Sequence, residues 1–163
     1  MADSDKATSA KLSSILADFD KSVVDGFIED TIKIAGFTFT LRTPSEDDEV
    51  WADSFIKTTS PFVMMSSRRA PRLSVSIKAI KSPNSKESLT LDKLFTYPDE
   101  LSDDTKKYLD THEIEKRYWL YGQLMKWLAE KPAAVVEKLY SKYEELIKRR
   151  DESLKGVLEA PNV

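Results

Sequence analysis

The last third of the chain reads as two helices broken at Lys131-Pro132. Proline lacks an N–H and clashes with the preceding turn, so one helix cannot run through it, yet its fixed φ suits the start of the next. The pattern predicts a helical hairpin with arms at roughly Thr111–Glu130 and Pro132–Leu154, and Gly156 placed to end the second. In the first arm Ile114, Tyr118, Tyr121, Leu124, Met125 and Leu128 recur at helical spacing, and Trp119, Leu120 and Trp127 widen the stripe. A stripe this wide implies contacts on two sides. The second arm carries Val135, Val136, Leu139, Tyr140, Tyr143, Leu146 and Ile147, backed by mixed charges typical of a solvated face.

The preceding residues divide by period. Residues 1–10 are small and polar and read as a flexible tail. Leu12, Ile15, Leu16 and Phe19 mark one face of a short helix, either packed on its own core or docking on a partner. From Thr31 to Arg42 the period falls to two, with Ala35-Gly36 between the runs, which predicts a β-hairpin. Thr43-Pro44-Ser45-Glu46 reads as a capping box with Thr43 as cap and Pro44 at the first helical position. The acids Glu46, Asp47, Asp48 and Glu49 then suit the positive end of a helix continuing through Phe55 and Ile56.

Pro61 opens a second short helix with Phe62, Met64 and Met65 as apolar content, and Arg68, Arg69 and Arg72 around Pro71 read as a basic turn. Leu73, Val75 and Ile77 alternate with polar residues, predicting a third strand to about Ile80. A polar loop follows, then a one-turn helix capped by Thr90 and a further short helix over Pro98–Leu109. The expected fold is α+β: mainly helical, with a small antiparallel sheet (hairpin plus third strand) and a C-terminal antiparallel helical hairpin. It forms a single domain over 11–156, the sheet part at about 30–80 and the helical part at about 90–156, with a flexible end at 157–163.

Reactive chemistry is hard to assemble from these residues. There is no cysteine, one histidine (His112) and four glycines, which removes thiolate sites, the two-histidine zinc motif, phosphate-cradling loops and the G-x-S-x-G elbow. The expectation is no catalytic residue, no cofactor, no metal and no small-molecule substrate. Lys and Arg total 25 against 28 Asp and Glu, a net charge of −3 that argues against a dedicated nucleic-acid binder. No run approaches the ~18 apolar residues of a membrane span, and the N-terminus lacks the pattern of a signal peptide, so a soluble intracellular chain is expected.

Gly122 breaks a local rule, since glycine inside a helix costs about 1 kcal/mol relative to alanine. Close approach of another helix or of a partner backbone would explain it. Tyr118, Tyr121, Met125 and Gly122 would then lie at the tightest contact; because aromatic and Arg residues anchor interfaces, Trp119 and Trp127 join them as candidate partner-binding residues, with Arg68, Arg69 and Arg72 as rim charges.

The order of parts resembles a known group. IKIAGFTFTLRTPSEDDEVW resembles the opening of small tailed-bacteriophage tail and baseplate assembly proteins, where a hairpin leads into an acidic helix. RLSVSIKAI is similar to that family's short strand, and YWLYGQLMKWLAEKPAAVVEKLYSKYEELI to its closing helices. The resemblance covers roughly residues 30–150. It implies a non-enzymatic role in the host cytoplasm, as a transient chaperone or as a subunit kept in the virion tail, with other tail or baseplate proteins as partners and self-association open. The alternative is a nucleic-acid-associated regulator using the basic turn.

Overall fold

The computed structural model describes residues 11–17, 27–56, 60, 67–96, 103–104, 107 and 116–158. The expected tail, the helix at Pro61 with its methionines, His112, most of Pro98–Leu109 and the last residues lie outside these. Residues 11–17 are helical (α1). Then come β1 (Glu29–Ile34), β2 (Phe37–Arg42), α2 (Glu46–Asp53), α3 (Arg69–Ser76), β3 (Ile77–Lys81), β4 (Ser88–Thr90), α4 (Leu91–Leu94), α5 (Lys116–Ala129) and α6 (Ala133–Leu158). The fold is α+β and mainly helical. Its antiparallel sheet is a meander in the order β1-β2-β3-β4, with α2 and α3 inserted between the second and third strands.

The hairpin forms as its alternation predicts. Ala35 and Gly36 both have positive φ, 53° and 84°, the two-residue geometry whose twist matches the flanking strands. Glycine takes that conformation freely; alanine does not. A Cβ on Gly36 would sit 3.3 Å from Cβ of Pro83, a tight contact that adds to the strain of positive φ at the second turn position.

The cap lies two residues later than the capping-box reading placed it. Ser45 is the N-cap, its Oγ accepting from the Asp48 N–H at 3.3 Å. Thr43 instead closes the base of the hairpin: its N–H donates to Ile28 O at 2.9 Å, and its Oγ1 accepts from Ile28 N–H at 3.0 Å. Thr43 and Pro44 are both buried, and a residue committed to the sheet edge cannot also cap a helix. The α-helix also ends sooner, at Asp53, where Phe55 and Ile56 donate to Ala52 and Asp53 in tighter three-residue turns.

The largest correction is at Leu73–Ser76, predicted as strand and found as the end of α3. Residues 73–77 are all buried, so alternation carries no directional information there. Helix α3 packs against α5, α2 and α6, which together cover its C-terminal half. The two serines fit because their hydroxyls are satisfied at short range: Ser74 Oγ donates to Pro71 O at 2.6 Å and Ser76 Oγ to Arg42 O at 2.7 Å. Pro71 sits in the first turn of α3, where its missing N–H costs little. Only Ile77 onward extends into β3.

The C-terminal pair is present and breaks at Lys131-Pro132; Val135 N–H donates to Pro132 O at 3.0 Å. Helix α6 runs through Gly156 to Leu158, so that glycine does not end it. Among the described residues Leu41, Leu73, Val75, Ile77, Leu124, Leu128, Leu139 and Leu146 are fully buried and belong to one cluster. It joins residues from both sides of the polar Lys81–Glu87 loop. Truncating any of these leucines to alanine costs about 2–5 kcal/mol.

Candidate functional site

The aromatic stripe of α5 divides between three environments. Tyr121 is only 7% exposed and belongs to the core. Its hydroxyl donates to Asp48 Oδ2 at 3.4 Å and accepts from Lys78 Nζ at 3.3 Å, while Lys78 also donates to Val75 O at 2.9 Å. Burial, then the Asp48 charge, push the Tyr121 hydroxyl up to about 12. Burial pulls the Lys78 ammonium below its ordinary value, with Asp48 acting against it. A buried carboxylate, phenol and ammonium linked in this way bind α2, β3 and α5 together.

Tyr118 is half-buried and stacks on Trp51 of α2, centroids 5.7 Å apart and planes 10° from parallel. Arg117 lies over the Tyr118 ring and donates to its hydroxyl at 2.7 Å. Trp119 and Met125 are half-buried, and Trp119 packs against the core. Gly122 is half-buried as well, but a Cβ built there would meet no atom of the described residues within 4 Å. Among the described residues, then, no other helix makes the close approach expected at Gly122.

Trp127 faces elsewhere. It lines an open apolar groove of about 500 Å³ together with Ile34 and Phe37 of the hairpin, Ile80 of β3, Phe95 after α4 and Val135 of α6. Phe37 is 42% exposed, although it is a large aromatic beside a turn. Lys131 Nζ sits 4.6 Å from the Trp127 ring centroid at the rim. Sequence reading found Trp127 but missed the rest, because six residues from five elements converge only in the fold. The one local hint is Phe37: its place directly after the turn puts a bulky ring at the end of the sheet.

The three arginines are not a free basic patch. Arg72 Nε and Nη2 both donate to Asp53 Oδ1, at 3.2 and 3.1 Å, and Arg69 Nη1 reaches Glu137 at 3.5 Å. Burial works against the Arg72 charge, but Tyr140 and Asp53 outweigh it and raise its pKa. Arg68 Nε is buried and has no hydrogen-bond partner among the described residues. Arg68 and Arg72 line a second groove of about 580 Å³, where Glu49, Asp53, Glu144 and Lys148 mix both signs. Glu49 is held there by Arg150 at 2.9 Å.

The acids of α2 fan out as adjacent helical positions must: Asp48 inward, Glu49 to Arg150, Glu46 and Asp47 to solvent. Among the described residues no three histidines, cysteines or carboxylates gather as a cation site, and no helix is long and apolar enough to cross a membrane. Comparison with known protein families, curated proteins and solved structures gives no match to this chain.

Proposed function

We propose that this chain is a non-enzymatic protein-interaction module of bacteriophage tail or baseplate assembly, which takes an apolar segment of another tail or baseplate protein into the groove between Phe37 and Trp127. The observation that carries the reading is the groove itself. It is apolar almost throughout, is lined from the sheet, α5 and α6, and contains a large exposed aromatic, the combination that marks interaction sites. The phage setting rests on the resemblance described above. Its first and last segments fall on the hairpin with α2 and on the α5–α6 pair, whereas RLSVSIKAI is helical in its first half.

In this reading the protein works in the host cytoplasm, as a chaperone that releases its client or as a subunit retained in the tail. Trp127 is the anchor, Phe37 a second contact, and the open space at Gly122 beside Tyr118 a place where a partner backbone can approach. Tyr121 acts indirectly, by fixing α5. Arg69 and Arg72 already hold carboxylates within the chain, so no observation favours the nucleic-acid alternative.

The test is co-expression with the tail and baseplate proteins of the same phage, comparing the wild-type chain with Phe37→Asp. One such protein is expected to co-purify, and the variant to lose about tenfold or more of it, the scale of an interface anchor. Failure of every tail and baseplate protein to co-purify, or capture indifferent to Phe37→Asp, overturns the proposal.

A further inference from the structure

Helix α1 presents Leu12, Ile15 and Leu16 at i, i+3 and i+4, and these side chains are 56%, 55% and 56% exposed. Helices use this spacing to place apolar anchors in a groove. The same chain contains a groove of about 500 Å³ that is open and apolar. We propose that α1 is an intrachain ligand of the groove, covering it until a partner segment of the same apolar pattern displaces it. The inference rests on the groove being the interaction surface, and adds its occupant and its regulation.

Reach permits the contact. The groove opens at the Ala35-Gly36 end of the hairpin, and Phe27 stands at the other end, about 20 Å away by the rise of a six-residue strand. The chain between residues 17 and 27 spans roughly 33 Å when extended, so α1 can lie across the groove of its own chain. Seven helical residues are about 10 Å long and would present three branched aliphatic side chains to a groove lined by Phe37, Phe95 and Trp127.

Tethering favours an intrachain occupant over a second copy. Three aliphatic side chains make a contact well below what a stable association of separate chains buries, and a reciprocal pair of copies would make it only twice. A short tether supplies an effective concentration near the millimolar range, where so small a contact is populated. The groove has to remain available to a partner, and a weak tethered occupant leaves it so.

The experiment uses the full chain, as wild type and as Leu12→Asp/Leu16→Asp, followed by NMR of the Ile34, Ile80 and Val135 methyls and the Trp127 indole. The substituted positions are exposed, so the fold is expected to survive, with the Val75 and Leu139 methyls unmoved as the control. The groove signals are expected to shift in the double variant and to return when a peptide of residues 9–19 is added. That peptide should bind the wild-type chain at least about tenfold more weakly, because the tethered helix competes. Groove signals identical in the two proteins overturn the inference. So does a difference that disappears on dilution, which would assign the groove to α1 of a second copy. Capture of a tail or baseplate partner is scored separately. If the groove signals respond while no partner is captured, the phage reading fails and the intrachain contact stands; a partner lost on Phe37→Asp with unresponsive signals gives the converse.

Discussion

Asp30 is the point where the long C-terminal helix is tied to the edge of the sheet. Lys142 Nζ donates to its Oδ2 at 2.9 Å and Arg149 Nη1 to the same oxygen at 3.1 Å, while the Thr31 N–H donates to Oδ1 at 2.8 Å. The Lys142 hydrogen bond, helped by the Thr31 N–H and Arg149, holds the Asp30 carboxyl at about 2, against an ordinary 3.8. A displacement of that size corresponds to at most about 2.4 kcal/mol. The Asp30 side chain keeps 39% of its surface in solvent and that of Arg149 45%, so screening reduces the contribution to about 1 kcal/mol. Because the folded value is the lower one, this stability is present above about pH 4 and is lost as pH falls toward 2. Asp30→Asn keeps the size and the acceptor for Thr31 but removes the charge. Urea unfolding should place it about 1 kcal/mol below wild type at pH 7, with the gap closing near pH 2 and narrowing in high salt. A gap of the same size at both pH values, or none at pH 7, would refute the electrostatic account of this contact.

Ala35→Asn should stabilise the chain by about 1 kcal/mol in thermal or urea unfolding, since asparagine tolerates the left-handed region that alanine resists. Gly36→Ala should destabilise it, because positive φ and Pro83 both oppose a Cβ there; equal stability of the two variants would count against the turn geometry. Gly122→Ala should raise unfolding stability by about 1 kcal/mol, as the added methyl gains helix propensity and meets no other element among the described residues. A loss of stability would mean that something within the chain approaches Gly122. Gly122→Leu should fold and lose partner capture, and unimpaired capture would remove Gly122 from the interface.

What could be read from the sequence was local. The hairpin was legible because period-two runs flank a turn whose glycine needs positive φ, and the C-terminal pair because a proline divides two apolar stripes. Leu73–Ser76 was misread since alternation implies a strand only where one face is wet, and these residues are buried on all sides. Strand β4 was missed because three exposed residues, Ser88–Thr90, carry no periodic signal and become a strand only by pairing with β3. The cap was misplaced because Thr43 and Ser45 are chemically equivalent candidates, and only the hydrogen bonds to Ile28 commit the first elsewhere. The stripe on α5 was visible, but the fate of each ring was not: Tyr121 meets Asp48 and Lys78 from distant segments, and Trp127 meets a groove assembled from five elements.

The position of α3 has a consequence for how the molecule forms. Helices α5 and α6 are neighbours in sequence, yet α5 rests chiefly on α3, and α6 on α3 and the β1–β2 hairpin, segments that are translated much earlier. A fragment holding only the last two helices would lack the surface against which both pack, and should remain loose and aggregation-prone. Closing a loop of that length before the buried leucines can meet raises the contact order and slows the final step. The buried leucines of α5 and α6 therefore find their partners only through contacts distant in sequence, so the core is expected to form cooperatively once both helices are present.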